Sequence, residues 1–373
     1  MSSPQAEVVV DLDSYRANLV ELAACAPGSA LMAVVKADGY GHGMTSCARA
    51  AREAGASWLG VATLDEAMSL RSSGDAGPVL CWLASPGAAF GPAIDAGIEL
   101  TASSAAQLQE IVATPSSERP RVQLKVDTGL SRNGARGPDW TRLVAAAAAA
   151  QRAGRVEITG VWSHFACADD PGNPANAAQE SVFRAAIDEM TAAGLPHGLR
   201  HLANSAALLT RPSAHFDLVR VGIASYGIRP DPALRFDARL RPVMTLRARL
   251  ASAKRVEAGA RVSYGHTWTT PRETTLGLVP VGYGDGILRT ASNRADAWFA
   301  GHRVPVVGTI CMDQLVVDLG DLPAERGDEV VLFGSGADGE PTAEHWAQAA
   351  GTIAYEVVTR LGGRIERTYR GAR

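Results

Sequence analysis

The stretch Ala33–Gly43 reads AVVKADGYGHG: β-forming residues run into a single lysine, Lys36, and a turn with three glycines and Tyr40 follows at once. The strand it closes, Leu31–Val35, is short and apolar without clean alternation, the pattern of a parallel strand covered on both faces. Runs of the same kind recur at Trp58–Thr63, Val79–Leu83, Ile98–Ala102, Val122–Asp127, Ile158–His164, His201–Ser205 and Leu218–Ile223. Helical stretches such as Leu64–Arg71, Ala105–Val112, Trp140–Ala153 and Gln179–Ala193 lie between them. Strand–helix alternation repeated about eight times predicts an α/β fold, a parallel (β/α)8 barrel of the TIM type.

The pattern changes near residue 235. From Pro242 onward β-prone runs predominate, at Met244–Ala251, Thr275–Val281, Val304–Ile310, Gln314–Leu319 and Glu329–Phe333, with one clear helical stretch at Thr342–Ala350. They predict a second, mostly antiparallel β domain. The proline-rich segment Pro230–Pro242 marks the boundary, giving domains over residues 1–235 and 236–373. The N-terminal strand over residues 7–12 is free to pack on the second domain.

A chain of 373 residues, 46% hydrophobic and 20% charged, can bury a large core and suggests two domains. A net charge of −3 leaves no electrostatic footprint for nucleic acid or an anionic membrane. No apolar run approaches the roughly 20 residues of a membrane-spanning helix. The N-terminal segment has no basic stretch followed by an apolar block, so no secretory signal is expected. The five cysteines are scattered and form no C-x-x-C pair, which disfavours zinc and disulfide frameworks and fits a reducing cytoplasm.

Barrel enzymes gather their chemistry at the C-terminal ends of the strands. Lys36, the Arg132 loop, His164 and Ser205 all fall at or just after such ends. Lys36 has two readings: an amine partly desolvated and so available for Schiff-base chemistry, or a strand-end lysine that snorkels into water. In LKVDTGLSRNG, Lys125 and Asp127 share a strand face and can pair, while Arg132 is either a carboxylate clamp or an exposed loop arginine. His164 reads as a structural hydrogen-bonding residue or a site residue. Ser205, after Asn204, reads as a helix cap or a phosphate ligand. Arg220 stands inside an apolar strand before Gly222 and Ile223, and needs an acceptor, either a structural carboxylate or a bound group. In the second domain VSYGHTW presents Tyr264, VPVGYGDG presents Tyr283, ICMDQ presents Cys311, Met312 and Asp313, and TIAYEVVTR presents Tyr355. Packed rings with satisfied hydroxyls are the plain alternative for these tyrosines.

Taken together and in order, AVVKADGYGHG, VSYG, GYGDG, CMDQ and AYEV closely resemble the alanine racemase family, from the first helix to near the C-terminus. The resemblance implies a pyridoxal 5'-phosphate enzyme interconverting L- and D-alanine, which supplies D-alanine for peptidoglycan. It implies a homodimer with shared active sites and a small amino acid as substrate. By the same resemblance Lys36 is the Schiff-base lysine and one catalytic base, and Tyr264, reaching into the partner subunit's site, is the other. Tyr40, Ser205, Gly222, Ile223 and Tyr355 look like the phosphate set. Arg220 faces the pyridine nitrogen, and His164 links it to Tyr264, whose proton affinity the two would lower by their charge. Arg132 and the main chain at Met312 match the substrate-carboxylate contacts, and Lys125 matches a position that is carbamylated in many members. Asn204, Tyr283, Cys311 and Asp313 take supporting places.

The chain departs from common family patterns at Asp38-Gly39, where Asn-Ala is frequent, and at Thr309, where an arginine is often found. Alternatives on the same fold are a serine or broad-specificity racemase and a decarboxylase. The decarboxylase would carry an acid where this chain has Arg220 and would lack the counterpart of Tyr264. A non-catalytic carrier of the cofactor would be a single barrel. No metal is expected.

Overall fold

The computed structural model describes residues 4–372; residues 1–3 and 373, at the outer ends of the two expected domains, lie outside the described residues. Strand β1 (Ala6–Asp11) leads into the helix Leu12–Ala24, whose first amides are capped by the Asp11 carboxylate. Eight strands follow: β2 (Ala30–Val34), β3 (Trp58–Val61), β4 (Val79–Cys81), β5 (Glu99–Ala102), β6 (Arg121–Lys125), β7 (Glu157–Trp162), β8 (Leu199–His201) and β9 (Leu218–Val221). They form one parallel sheet in the order β8-β7-β6-β5-β4-β3-β2-β9. Its two edges meet through backbone hydrogen bonds from Asp217 N–H to Arg200 O and from Arg220 N–H to Ala203 O, both 3.1 Å. The sheet is thus a (β/α)8 barrel with its helices outside.

The barrel interior divides into two halves. Met32, Trp58, Leu80 and Leu218 pack as an apolar cluster in one. Glu99, Thr101, Gln123, Lys125, His201 and Arg220 are buried polar residues of β5, β6, β8 and β9. Their spacing of two within a strand puts each pair on a single face.

The second part contains β10 (Met244–Arg249), β11 (Ser252–Val256), β12 (Arg261–Val262), β13 (Trp268–Thr269), β14 (Thr274–Val279), β15 (Asp296–Phe299), β16 (His302–Pro305), β17 (Leu315–Gly320), β18 (Glu329–Phe333) and β19 (Glu366–Arg370). A six-stranded sheet runs β16-β15-β18-β10-β1-β19, and a three-stranded sheet runs β11-β14-β17. Only β1 and β19 pair in parallel. Strand β1 therefore joins the second part while the helix after it joins the barrel, and residues 227–243 carry neither helix nor strand.

Three elements differ from expectation. The run His201–Ser205 is not a strand: β8 ends at His201, because Asn204 turns to cap the next helix and accepts from Ala207 N–H. Met244–Ala251 ends at Arg249, where the chain leaves one sheet for the other. Val304–Ile310 pairs with β15 only as far as Pro305; beyond it Val306 bridges Val317 and Val307 N–H donates to Val316 O at 2.9 Å, so the chain crosses to the other sheet, and Gly308 takes a positive φ of 76°. A second helix, Ala354–Thr359, was not expected. Among the described residues no helix is long and apolar enough to cross a membrane.

Candidate active site

Lys36 stands two residues beyond the end of β2, where the backbone enters a left-handed turn. Ala37, Asp38, Gly39 and Tyr40 have φ of 52°, 52°, 62° and 53°. The three residues that are not glycine each cost about 1–2 kcal/mol in this region, so the turn must be held from outside. Glu66 holds one side: its Oε1 accepts from Ala37 N–H at 2.7 Å, and its Oε2 from Ala62 N–H and Thr63 N–H at 2.8 and 3.2 Å. Asp38 accepts from Met44 N–H at 2.9 Å. From the second part, Arg367 Nε donates to Gly41 O at 2.9 Å. Gly41 sits so close to the Ala354–Thr359 helix that a Cβ there would lie 2.1 Å from Val358 O. The departure at Asp38-Gly39 thus lies inside this left-handed turn.

Replacing Glu66 by glutamine puts an N–H donor where only acceptors fit. Glu66→Gln is expected to lower kcat roughly tenfold to a hundredfold through misplacement of Lys36, with the fold retained by circular dichroism. An unchanged kcat would show that the turn holds itself.

Above this turn lies a cavity of about 830 Å³ at the C-terminal ends of the barrel strands. Lys36, Lys125, Arg132 and Arg220 all line it, and Asp169 is the only acidic side chain among its lining residues. Such an imbalance in a half-buried cleft favours an anionic occupant. Burial, and then the charge of Arg132, lowers the proton affinity of the Lys36 amine. Lys125, 5% exposed, is pulled down to about 7 by burial, followed by Arg220 and Arg132. Its Nζ lies 4.1 Å from the centre of the Trp162 ring. The Lys125–Asp127 pairing does not form: no ion pair joins them among the described residues, and Asp127 accepts instead from Gly129 N–H and Ser131 N–H.

Arg220 is 4% exposed and has no carboxylate partner among the described residues, which removes the structural ion-pair reading. Its Nη2 donates to Ser163 O at 2.7 Å and Leu202 O at 3.1 Å and lies 3.3 Å from His164 Nδ1; its Nη1 lies 3.0 Å from His201 Nδ1. Burial lowers Arg220 to about 9, which leaves it charged at neutral pH. Burial and that guanidinium hold His164 well below the usual imidazole range. The expectation that His164 adds positive charge is thereby corrected: it is a neutral neighbour of Arg220.

Ser205 is not the helix cap. Asn204 is, and Ser205 Oγ accepts from Gly222 N–H at 3.0 Å and Ala224 N–H at 3.4 Å. Tyr40, Ser205, Gly222, Ile223 and Tyr355 share one wall of the cavity. A Cβ on Gly222 would lie 2.4 Å from the Tyr40 hydroxyl, so only glycine keeps this wall open. Burial raises both the Tyr40 and Tyr355 phenols, which remain protonated donors. Hydroxyl donors beside buried cations are the chemistry a phosphate ester requires. Trp82, Trp162 and Glu66 were not singled out in the sequence. The two tryptophans follow or end strands, and the Thr63–Glu66 capping box was legible, but the bond from Ala37 to Glu66 crosses 29 residues.

Tyr264, Tyr283 and Met312 lie outside this cavity's lining, at 74%, 39% and 55% exposure. They are nonetheless braced. Thr309 Oγ1 donates to Tyr264 O at 2.8 Å, and Ser263 Oγ donates to Thr309 O at 2.6 Å and lies 3.3 Å from Cys311 Sγ. Tyr283 N–H and Gly284 N–H donate to Cys311 O and Met312 O at 3.0 and 2.8 Å. Arg364 bridges Asp285 and Asp313. The departure at Thr309 thus supplies a hydroxyl to the Tyr264 turn.

Models of the alanine racemase N-terminal and C-terminal domains match residues 10–230 and 243–369. The chain belongs to the alanine racemase family. It is 54% identical over 374 residues to the alanine racemase of Salinispora arenicola, covering 99% of each protein. The alanine racemase structure from D-cycloserine producing Streptomyces lavendulae superposes with a TM-score of 0.97 at 52% identity, over 100% of this chain and 98% of that one. The Bartonella henselae alanine racemase, which holds covalently bound pyridoxal phosphate, matches with a TM-score of 0.87 at 29% identity, over 99% and 100%. Alanine racemases are isomerases that depend on pyridoxal phosphate.

Proposed function

We propose that this chain racemises alanine with pyridoxal 5'-phosphate by a two-base mechanism, in a homodimer whose sites are each built from both subunits. The observation that carries this reading is the cavity lined by Lys36, Arg132 and Arg220 with its hydroxyl wall, in a chain of the alanine racemase family. The cofactor fits that donor set: its phosphate suits Tyr40, Ser205, Tyr355 and the amides at Gly222 and Ile223, and its pyridine nitrogen suits Arg220. When bound, the cofactor acidifies the substrate's Cα–H by drawing off the electron pair. Lys36, with lowered proton affinity, takes or returns that proton through Nζ on one face. Tyr264 of the other subunit serves the opposite face through its hydroxyl. Arg132 and the Met312 main chain hold the substrate carboxylate, Met312 from the same exposed patch as Tyr264.

Tyr283, Cys311 and Asp313 brace that patch, and Asn204 sets the helix that presents Ser205. An exposed tyrosine on a backbone turn braced by Thr309 suits use by a second subunit better than use in its own chain. The five cysteines are all free thiols, which suits work in the cytoplasm, and the D-alanine formed is suited to peptidoglycan synthesis. Purified chain loaded with pyridoxal phosphate should convert L-alanine to a racemic mixture, followed by circular dichroism, and alanine should exceed serine in kcat/KM. A cofactor-loaded protein that leaves L-alanine optically unchanged refutes the reading.

Lys125 is proposed to carry a carbamate, which needs a neutral amine, and an amine titrating near 7 supplies one. The sign is clear: the neutral fraction grows as pH rises through about 7. Labelled bicarbonate should give a carbamate signal by carbon-13 NMR that strengthens over that range and is absent from Lys125→Ala.

A further inference from the structure

Between the cavity and the far end of the barrel runs a continuous line of buried polar side chains. It starts at Arg220, whose Nη1 lies 3.0 Å from His201 Nδ1. His201 Nε2 lies 2.6 Å from Gln123 Oε1, and Gln123 Nε2 donates to Glu99 Oε2 at 2.8 Å. Thr159 Oγ1 donates to the same carboxylate oxygen at 2.7 Å. Arg121 Nη2 lies 2.7 Å from Glu99 Oε1 as an ion pair, although its N–H bonds are not aimed for a hydrogen bond. Glu99, Gln123 and His201 are 1%, 0% and 0% exposed.

The two ends of this line have opposite and fixed hydrogen-bonding character. A guanidinium only donates, so His201 Nδ1 must accept. A carboxylate only accepts, so Gln123 must turn its amide nitrogen to Glu99 and its oxygen to His201, whose Nε2 must then carry the proton. Both ends therefore select one tautomer. Burial, and then Arg220, also holds His201 well below the usual imidazole range, so the ring is neutral. Trp162 stacks on it, with centroids 5.7 Å apart and planes 7° apart, which fixes the plane of the ring.

We infer that Glu99 and Gln123 are positioning residues for Arg220, fixing the His201 tautomer that receives its guanidinium from the far side of the barrel. An apolar interior was open to this fold, as the Met32–Trp58–Leu80–Leu218 half illustrates. A buried polar network costs stability unless every member is satisfied, and this one terminates on the residue that faces the cavity. The place of Arg220 at the cofactor rests on the function proposed above; the tautomer of His201 does not.

The test uses the full chain labelled with nitrogen-15 histidine, with and without pyridoxal phosphate, and reads His201 by NMR. Wild type should show a neutral ring protonated at Nε2 in both states; a ring protonated at Nδ1, or an imidazolium, overturns the inference without any variant. Glu99→Gln keeps the shape and lets the Gln123 amide reverse. It removes one of the two constraints on the ring, so a population protonated at Nδ1 should appear beside the Nε2 form, and the pyridoxal phosphate dissociation constant should rise about twofold, in proportion to the rings that no longer accept from Arg220. Thr159→Val removes a donor to the same carboxylate but lies off the line, and should leave His201 in one tautomer. Unchanged His201 signals in Glu99→Gln, or an equal change in Thr159→Val, reduce Glu99 to a structural residue. Because the cofactor-free tautomer is read without racemisation, a failed racemase reading and a failed relay are told apart.

Discussion

Lys36→Ala is expected to abolish racemisation, lowering the rate by about 10³-fold or more, because on the proposed mechanism it removes both the covalent anchor and one of two bases. Neither function can be supplied by the neighbours. Lys125 is turned over the Trp162 ring, and a guanidinium such as those of Arg132 and Arg220 offers no free amine to form the covalent bond. Lys36→Arg should be nearly as inactive, since it keeps the charge and loses the nucleophile. Borohydride should fix pyridoxal phosphate to the wild-type chain, with mass spectrometry placing it on Lys36, and should leave the alanine variant unlabelled. Covalent label on another lysine, or racemisation within tenfold of wild type, would falsify the assignment.

Tyr264→Phe is the second large effect. Removing one hydroxyl from an exposed ring should leave the fold and cofactor binding intact, yet lower kcat by about 10²–10⁴-fold through loss of one general acid–base. The cavity that Tyr264 would serve is lined by Lys36, Arg132 and Arg220, whose positive charge suits an acid–base hydroxyl. Two variants then make a sharper experiment than either alone. Lys36→Ala and Tyr264→Phe are each inactive, but a mixed dimer contains one complete site and one doubly damaged site. Random exchange of subunits should restore about a quarter of the wild-type activity. No recovery on mixing, with exchange demonstrated by a tagged subunit, means the two residues act within one chain.

Much of the barrel could be read from the sequence because parallel strands buried on both faces are near-continuous apolar runs. Lys36, Arg132, His164 and Ser205 were legible for a related reason: they fall at strand ends, where this topology gathers side chains at one rim. What was hidden depends on contacts distant in the chain. Nothing local to Glu66 announces a bond to Ala37, and nothing around Asp127 says it will cap its own loop instead of pairing with Lys125. His164 looked like a source of charge until Arg220 was seen beside it in a buried setting. Strand ends differ from a β-prone run where Asn204 turns to cap a helix and where the chain crosses between sheets, after Arg249 and after Pro305.

The turn after Lys36 also has a consequence for the order of events in synthesis. Its left-handed backbone is clasped by Arg367 and packs on Val358, and strand β1 finds its neighbours only in β10 and β19. The barrel strands are complete by residue 221, well before those partners exist. Within the barrel the turn is held by Glu66 and by the Asp38 contact to Met44 N–H, and its remaining contacts wait for Val358 and Arg367. The turn that presents Lys36 is thus closed on one side by the residues that are synthesised last.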